Sequence, residues 1–269
     1  MPFESGERVL IVDSKSRRYL VVLQAGSQFH FHRGIVNHDD VIGREDGLTL
    51  TTSENEKVFV LRPGYADFVL KMPRGAQVVY PKDVAMIVMY GDIFPGASVI
   101  EAGVGSGALS IGLLRAIGER GRLVTYELRD DFARNATSNI EAFLGKARNF
   151  ELRSGSIYED LAEGEPGETF DRMVLDVPEP WKALPNARRS LRSGGGFISY
   201  LPTIIQSHQL VEAMRATGDF PSVKTFETLV RNWHIEGTSV RPDHRMVAHT
   251  GFITVGRWVP AGHDQVRTK

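Results

Sequence analysis

The stretch Ser98–Leu114, SVIEAGVGSGALSIGLL, runs a strand-like apolar segment into Gly103, Gly105 and Gly107, then resumes at Ala108 with helical spacing of its apolar residues. Glycine adopts positive φ without penalty and lets backbone approach a neighbour closely. A helix that starts there also points unpaired N–H groups outward. The segment therefore predicts a strand, a tight turn and a helix meeting over a ligand.

Outward from this stretch the chain has two grammars. From about Gln77 onward, helical and extended segments alternate. A helix is expected over PKDVAMIVMYGDI, with Pro81 in its first turn and Asp83 complementing the helix dipole. The strands ASVIEA, RLVTYE, FELRS, DRMVLDV and GGFISYL follow, separated by ALSIGLLRAIG, DDFARNATSNIEAFLG and WKALPNARRSL, with IIQSHQLVEAMRATG after the last. VKTFETL and GFITVGRW add late strands. This alternation predicts an α/β, Rossmann-like doubly wound sheet with its ligand beyond the carboxyl ends of the strands. Before it, RVLIV, RYLVVLQ, QFHFH, LTLTT and KVFVLRP are short strands divided by turn residues, which suggests a small β-barrel or sandwich. The division is placed at residues 1–75 and 76–269. In FHFH the alternation favours core aromatics with outward histidines, or the reverse, over base stacking.

The loop G-V-G-S-G-A at Gly103–Ala108 lacks the G-x-G-x-x-G spacing of a pyrophosphate site and fits the E-x-G-x-G-x-G loop associated with S-adenosylmethionine. Glu127 closes the second strand about 20 residues past the loop, where a carboxylate can accept hydrogen bonds from ribose hydroxyls. That position serves NAD equally well. Asp176 ends the fourth strand and is followed by Val177, Pro178, Glu179, Pro180 and Trp181. The prolines stop strand pairing and stiffen a loop beside the cofactor position. Such an element is the target-base loop of amino-methylating enzymes; the plainer alternative for Asp176 is a helix cap.

Composition narrows the field. The formal net charge of −1 predicts no partner, although Arg188, Arg189, Arg192, Arg231, Arg241 and Arg245 permit a local basic patch. The absence of cysteine excludes disulfides and thiolate chemistry. The histidines form no metal-ligand cluster, so no metal is expected. Neither a leader nor a membrane-spanning apolar run stands out, and a soluble cytoplasmic protein is expected.

QVVYPKD (Gln77–Asp83), VIEAGVGSGALS (Val99–Ser110), YELRDDFA (Tyr126–Ala133), LDVPEPW (Leu175–Trp181), the Arg241-Pro242 pair and HTGFI (His249–Ile253) occur together in this chain. In that combination, over nearly its whole length, it resembles the tRNA adenine-N1 methyltransferases that act on the T-loop, in their bacterial and archaeal homotetrameric form. The resemblance implies a class I S-adenosylmethionine-dependent methyltransferase with a small N-terminal β domain. It further implies a homotetramer and a tRNA substrate modified at adenosine 58, with position 57 modified as well in archaeal relatives. Residues Gln77, Gly103, Gly105, Ser106, Gly107, Ala108 and Leu109 would line the methionine and sugar side of the cofactor. Glu127 would hold the ribose, and Ser156 and Ile157 within SGSIYED would supply adenine contacts. Asp176 would be catalytic beside the cofactor, and Tyr80 would contact the flipped base. Two departures stand out: Ser156 occupies the place where many methyltransferases carry a carboxylate, and Ala248 in RMVAHTGF stands where glycine is expected.

Neutral adenine already has its N1 lone pair free, so no base is needed to create the nucleophile. Asp176 is expected to accept a hydrogen bond from the N6 amino group, orienting N1 and stabilising the positive charge that develops on the ring. Tyr80 is expected to hold the exposed base by stacking or edge contact. The competing assignments are a methyltransferase acting on a protein or small molecule, a noncatalytic tRNA-binding subunit and, third, an NAD oxidoreductase.

Overall fold

The computed structural model describes residues 1–75, 77–159 and 168–260. Residue 76, which opens the expected second domain, Asp160 of SGSIYED and residues 261–269 lie outside the described residues. The chain forms two compact units, Met1–Arg74 with Ser138–Lys146, and Gly75–Thr137 with Ala147–Lys269.

In the first unit the strands are β1 (Arg8–Val12), β2 (Arg18–Val22), β3 (Gln28–Phe31), β4 (Gly34–Asn37), β5 (Leu48–Thr51) and β6 (Lys57–Leu61), followed by helix α1 (Tyr65–Lys71). They build an antiparallel sheet in the order β2-β1-β6-β5 and a separate β3–β4 hairpin. Hydrogen bonding does not close the two into a barrel, because β3 and β4 pair only with each other among the described residues. Val9, Ile11, Leu23, Val58 and Val60 form the core, with Phe29 and Phe31 packed against it. The two rings stack with centroids 5.3 Å apart, and His30 is exposed, so FHFH is an aromatic core stripe with its first histidine outward. Residues 138–146 belong to this unit because Phe143 packs on Phe68 at 4.8 Å and Asn139 Nδ2 donates to the Pro73 carbonyl at 3.0 Å.

The second unit begins with α2 (Pro81–Tyr90), β7 (Ser98–Ala102), α3 (Ala108–Ile117), β8 (Arg122–Glu127), the start of α4 (Asp130–Leu144), whose residues from Ser138 onward belong to the first unit, and β9 (Phe150–Ser154). It continues with β10 (Phe170–Leu175), a 3-10 turn at Pro180–Ala183, α5 (Leu184–Ser190), β11 (Leu191–Leu201), α6 (Ile204–Thr217) and β12 (Val223–Phe226). The β13 (Trp233–Glu236) and β14 (Ser239–Pro242) hairpin and β15 (Phe252–Arg257) complete it. The main sheet runs β12-β15-β11-β10-β7-β8-β9. Strands β9, β8, β7, β10 and β11 are parallel, and β15 enters antiparallel to both β11 and β12. Covered on both faces, the central strands read as continuous apolar runs; every residue of β10 is buried.

Buried Arg172 in β10 departs from that apolarity, as do Asp171 beside it and Glu101 in β7, and it is satisfied by polar partners. Its Nε donates to the Gly91 carbonyl at 2.7 Å, its Nη1 to the Asp171 carbonyl at 2.8 Å, and its Nη2 to the Asp92 carboxylate. The register carries the tips of β7, β8 and β10 to one end: Ala102 pairs with both Tyr126 and Leu175. Gly103, Glu127 and Asp176 leave the sheet there. Among the described residues no helix is long and apolar enough to cross a membrane.

Candidate active site

The glycine loop is built from backbone conformations closed to most residues. Gly103, Gly105 and Gly107 have φ of 88°, 52° and 83°. A Cβ on Gly103 would lie 2.0 Å from the Asp176 carbonyl oxygen, so β7 turns directly against the exit of β10. The same junction is tied by the Asp176 N–H, which donates to the Ala102 carbonyl at 3.0 Å. Gly107 caps α3, and its N–H closes the turn onto the Val104 carbonyl at 2.8 Å. Ser106, Ala108 and Leu109 are buried in that turn and the first turn of α3.

Beyond the strand ends lies a cleft of about 540 Å³. Of the expected cofactor residues, Gln77, Gly103, Gly105, Glu127, Ser156, Ile157 and Asp176 line it and Ser106, Gly107, Ala108 and Leu109 do not; Tyr80, expected at the target base, is also outside this lining. Residues not anticipated from sequence are Ala102, Tyr126, Leu128, Arg129, Phe132, Gly155, Tyr158, Val177 and Pro178. Within YELRDDFA, Arg129 and Phe132 stand one helical turn apart, and the guanidinium carbon sits 3.7 Å from the ring centroid. That spacing was the available signal.

Glu127 is both a ligand candidate and a cap, since its Oε1 accepts from the Leu128 N–H at 2.9 Å and the Arg129 N–H at 3.0 Å. The loop after β9 is fastened to the loop after β10. Ser156 Oγ accepts from the Tyr158 N–H at 3.2 Å, and Tyr158 OH accepts from the Glu179 N–H at 3.0 Å. Asn186 Nδ2 of α5 donates to the carbonyls of Ile157 and Glu159 at 2.7 and 2.6 Å.

Carboxylates surround the base of the cleft. Burial pushes Asp176 up to about 7. Fully buried Glu101, at the end of β7, is also pushed up to about 7 by desolvation, with the negative charges of Asp176 and Glu127 adding to the effect. Its Oε2 accepts from Ser110 Oγ and Thr125 Oγ1, each at 2.7 Å, and these bonds oppose the rise. Its Oε1 has no hydrogen-bond partner among the described residues. A cleft with glycine backbone on one wall, a carboxylate on the next strand and excess buried negative charge fits a cationic sulfonium cofactor bearing a ribose. Among the described residues no His, Cys, Asp and Glu group suits a metal.

Tyr80 occupies the N-cap position of α2, half-buried and extended, with φ of −68° and ψ of 150°. The residues after it meet the HTGFI segment. Lys82 Nζ donates to Asp83 Oδ1 at 2.7 Å, to Thr250 Oγ1 at 2.6 Å and to the Thr228 carbonyl at 2.6 Å. Asp83 is therefore completely buried and ion-paired, where sequence suggested a helix-dipole role. His249 donates through Nε2 to the Pro202 carbonyl at 2.8 Å and sits 3.0 Å from the Glu227 carboxylate through Nδ1; these contacts raise its pKa. Ala248 is exposed in irregular chain. Arg188, Arg192, Arg231 and Arg245 are all exposed; Arg188 and Arg192 are also ion-paired, with Asp219 and Asp171.

The parallel sheet with one reversed strand near its edge, the glycine turn and the acidic end of the neighbouring strand define a class I S-adenosylmethionine-dependent methyltransferase. Residues 56–249 match the family described as tRNA methyltransferase complex GCD14 subunit, residues 2–50 match the TrmI-like N-terminal family, and the chain belongs to this tRNA methyltransferase family. It is 36% identical over 251 residues to the tRNA (adenine(58)-N(1))-methyltransferase TrmI of Thermus thermophilus, covering 93% of this chain and 96% of the relative. The tRNA (adenine(57)-N(1)/adenine(58)-N(1))-methyltransferase TrmI of Methanocaldococcus jannaschii is 32% identical over 281 residues, covering 97% and 98%. A solved S-adenosylmethionine-dependent O-methyltransferase from Thermotoga maritima superposes with a TM-score of 0.89 at 32% identity, covering 96% of this chain and 95% of that one. The tRNA (m1A58) methyltransferase TrmI of Aquifex aeolicus gives 0.82 at 28%, covering 97% and 100%.

Proposed function

We propose that this protein methylates N1 of adenosine 58 in the T-loop of tRNA, with S-adenosylmethionine as donor. The observation that carries the assignment is the position of Asp176 just past β10, lining the cleft, with its backbone carbonyl packed against Gly103 of the glycine turn. When bound, the cofactor supplies an electrophilic methyl group on a sulfonium centre. Gln77, Gly103 and Gly105 would hold its methionine and sugar side, Glu127 its ribose hydroxyls, and Ile157 and the Ser156 hydroxyl its adenine. The Tyr158 N–H aligns that hydroxyl, at the place where many methyltransferases carry a carboxylate. Asp176, when ionised, accepts a hydrogen bond from the target N6 amino group, so the N1 lone pair faces the cleft. The same charge stabilises the cation left on the ring as the N1–C bond forms. Tyr80 bounds the base from the start of α2, and extruding the base from its tertiary pairing costs on the order of a few kcal/mol, supplied by the surrounding RNA contacts.

Assembly as a homotetramer is part of this proposal. Leu229, Val230, Trp233, Ile235 and Val240 are exposed on and before the β13–β14 hairpin, apolar side chains of the kind that a subunit contact covers. Light scattering at micromolar concentration tests it, a monomer being the contrary result. The working compartment under the same proposal is the cytoplasm, where tRNA is processed.

The test of activity is methyl-labelled cofactor incubated with unmodified tRNA transcript, followed by nuclease digestion and mass spectrometry. The expected product is N1-methyladenosine at position 58, lost when that adenosine is replaced. Label retained after the replacement and traced to position 57 would place this chain with dual-site relatives. Label on a ribose oxygen would instead favour the O-methyltransferase description given to the Thermotoga structure, and no transfer to any tRNA would overturn the substrate.

A further inference from the structure

The network under Tyr80 joins three segments far apart in sequence. Asp83 N–H and Val84 N–H both donate to the Tyr80 carbonyl, at 2.9 and 3.0 Å, so Tyr80 moves with the first turn of α2. That turn is pinned by Asp83. Its Oδ1 receives Lys82, and its Oδ2 receives the Thr250 hydroxyl at 2.6 Å and, more loosely, the Tyr200 hydroxyl at 3.5 Å. Lys82 spends its three donors on Asp83, Thr250 and the Thr228 carbonyl.

Tyr200 is what connects this network to the reaction centre. Leu175 pairs with Ser199, so Asp176, the first residue past β10, follows alongside Tyr200, which still lies within β11 and pairs with Ile253 of β15. Burial raises the pKa of the Tyr200 phenol, with the negative charges of Asp83 and Asp176 adding to the rise, which favours its protonated, donating form. Gly251 leaves room for the ring, since a Cβ there would stand 2.4 Å from Tyr200 Cζ. A buried ion pair is a poor source of stability, because apolar residues of the same shape would do as well or better. What an ion pair adds is directional geometry, and here it fixes two elements that carry the residues assigned to the base.

We propose that Lys82, Asp83, Thr250 and Tyr200 are positioning residues for methyl transfer, locking the Tyr80 end of α2 to the Asp176 tip of the sheet. The proposal rests on the assignment of Asp176 to the target base. Its test is a double-mutant cycle. Single-turnover methyl transfer to tRNA and cofactor affinity by calorimetry are measured for Tyr200→Phe, Asp176→Asn and the double variant. Tyr200→Phe keeps the ring and removes one hydroxyl; it should slow transfer about 10-fold with the cofactor dissociation constant within about twofold of wild type. In the Asp176→Asn background the further loss should be under about twofold, since the hydroxyl acts through that tip. An unchanged rate, or the same loss in both backgrounds, overturns the proposal. Thr250→Val and Thr250→Ser provide an independent pair: the serine variant should restore the rate lost in the valine variant, and equal losses overturn the proposal even where Tyr200→Phe fails to fold. Full activity of Asp176→Asn alone would remove the assignment of Asp176 and the proposal with it, a result distinguishable from the other two.

Discussion

Glu101 gives the sharpest physical prediction. Its carboxyl titrates near 4.5 when solvated and at about 7 in the fold, where desolvation outweighs the two hydroxyl bonds to Oε2. A raised carboxyl pKa means that the folded state binds more protons than the unfolded chain between these values, so stability falls as pH rises through that window. At about 1.36 kcal/mol per pH unit, the interval corresponds to about 3 kcal/mol lost by pH 7.5 and recovered below pH 4.5. Glu101→Gln keeps an acceptor for Ser110 and Thr125 and removes the titration. At pH 5 the variant should match wild type; at pH 8 it should be more stable by about 3 kcal/mol, or roughly 6–12 °C in Tm for a unit of this size. Scanning calorimetry of both proteins without cofactor from pH 5 to 8.5 checks it. Parallel curves over that range would refute the assignment of a buried, titrating carboxyl beneath the glycine loop. Binding of the cationic cofactor should favour the ionised form, so wild-type affinity should rise with pH through 7 and that of the variant should rise less.

The other expectations concern the rim of the cleft. Gly103→Ala places a methyl group 2.0 Å from the Asp176 carbonyl at a φ of 88°, so it should cost about 2–4 kcal/mol in denaturant unfolding and abolish measurable cofactor binding. Glu127→Gln should weaken cofactor affinity about 10-fold by calorimetry while leaving the rate at saturating cofactor within about threefold. Because Asp176 must be ionised to accept from N6 and its pKa is pushed up to about 7, single-turnover rates should climb between pH 6 and 8 and then level. Asp176→Asn should flatten that climb and lower the rate at pH 8 by roughly 100-fold or more.

Elements whose cause is local were legible in the sequence. The glycine turn announces itself because Gly103, Gly105 and Gly107 occupy left-handed conformations that few other residues adopt, and the apolar runs of β7 and β10 mark strands buried on both faces. Glu127 and Asp176 follow from their positions at strand ends. The short α1 carries no clear signal, because seven residues hold little helical periodicity. The β13–β14 hairpin was missed because neither strand buries a face to impose an apolar alternation. Ser106, Ala108 and Leu109 are expected at the cofactor by motif position, and their side chains are buried, which leaves their backbone as the part that can face a ligand.

The largest gap between sequence and site is the role of PKD and HTG, and it has a single physical origin. Lys82 and Thr250 are separated by 168 residues, so no window of sequence contains both partners of the hydrogen bond that gives either one its meaning. Read alone, Asp83 is a first-turn acid suited to a helix dipole, and Gly251 is an ordinary loop glycine. In the fold the acid is fully buried and would be costly without Lys82 and Thr250, while the glycine is needed because the Tyr200 ring occupies the space of its missing side chain. Each residue is intelligible only as the complement of another. The same logic extends across the strand ends, where Gly103 is required by the Asp176 carbonyl. The cofactor loop packs on the Asp176 backbone, and the network behind Tyr80 reaches β11 at Tyr200, one strand from β10, so under the proposed linkage a perturbation at one should be read out at the geometry of the next.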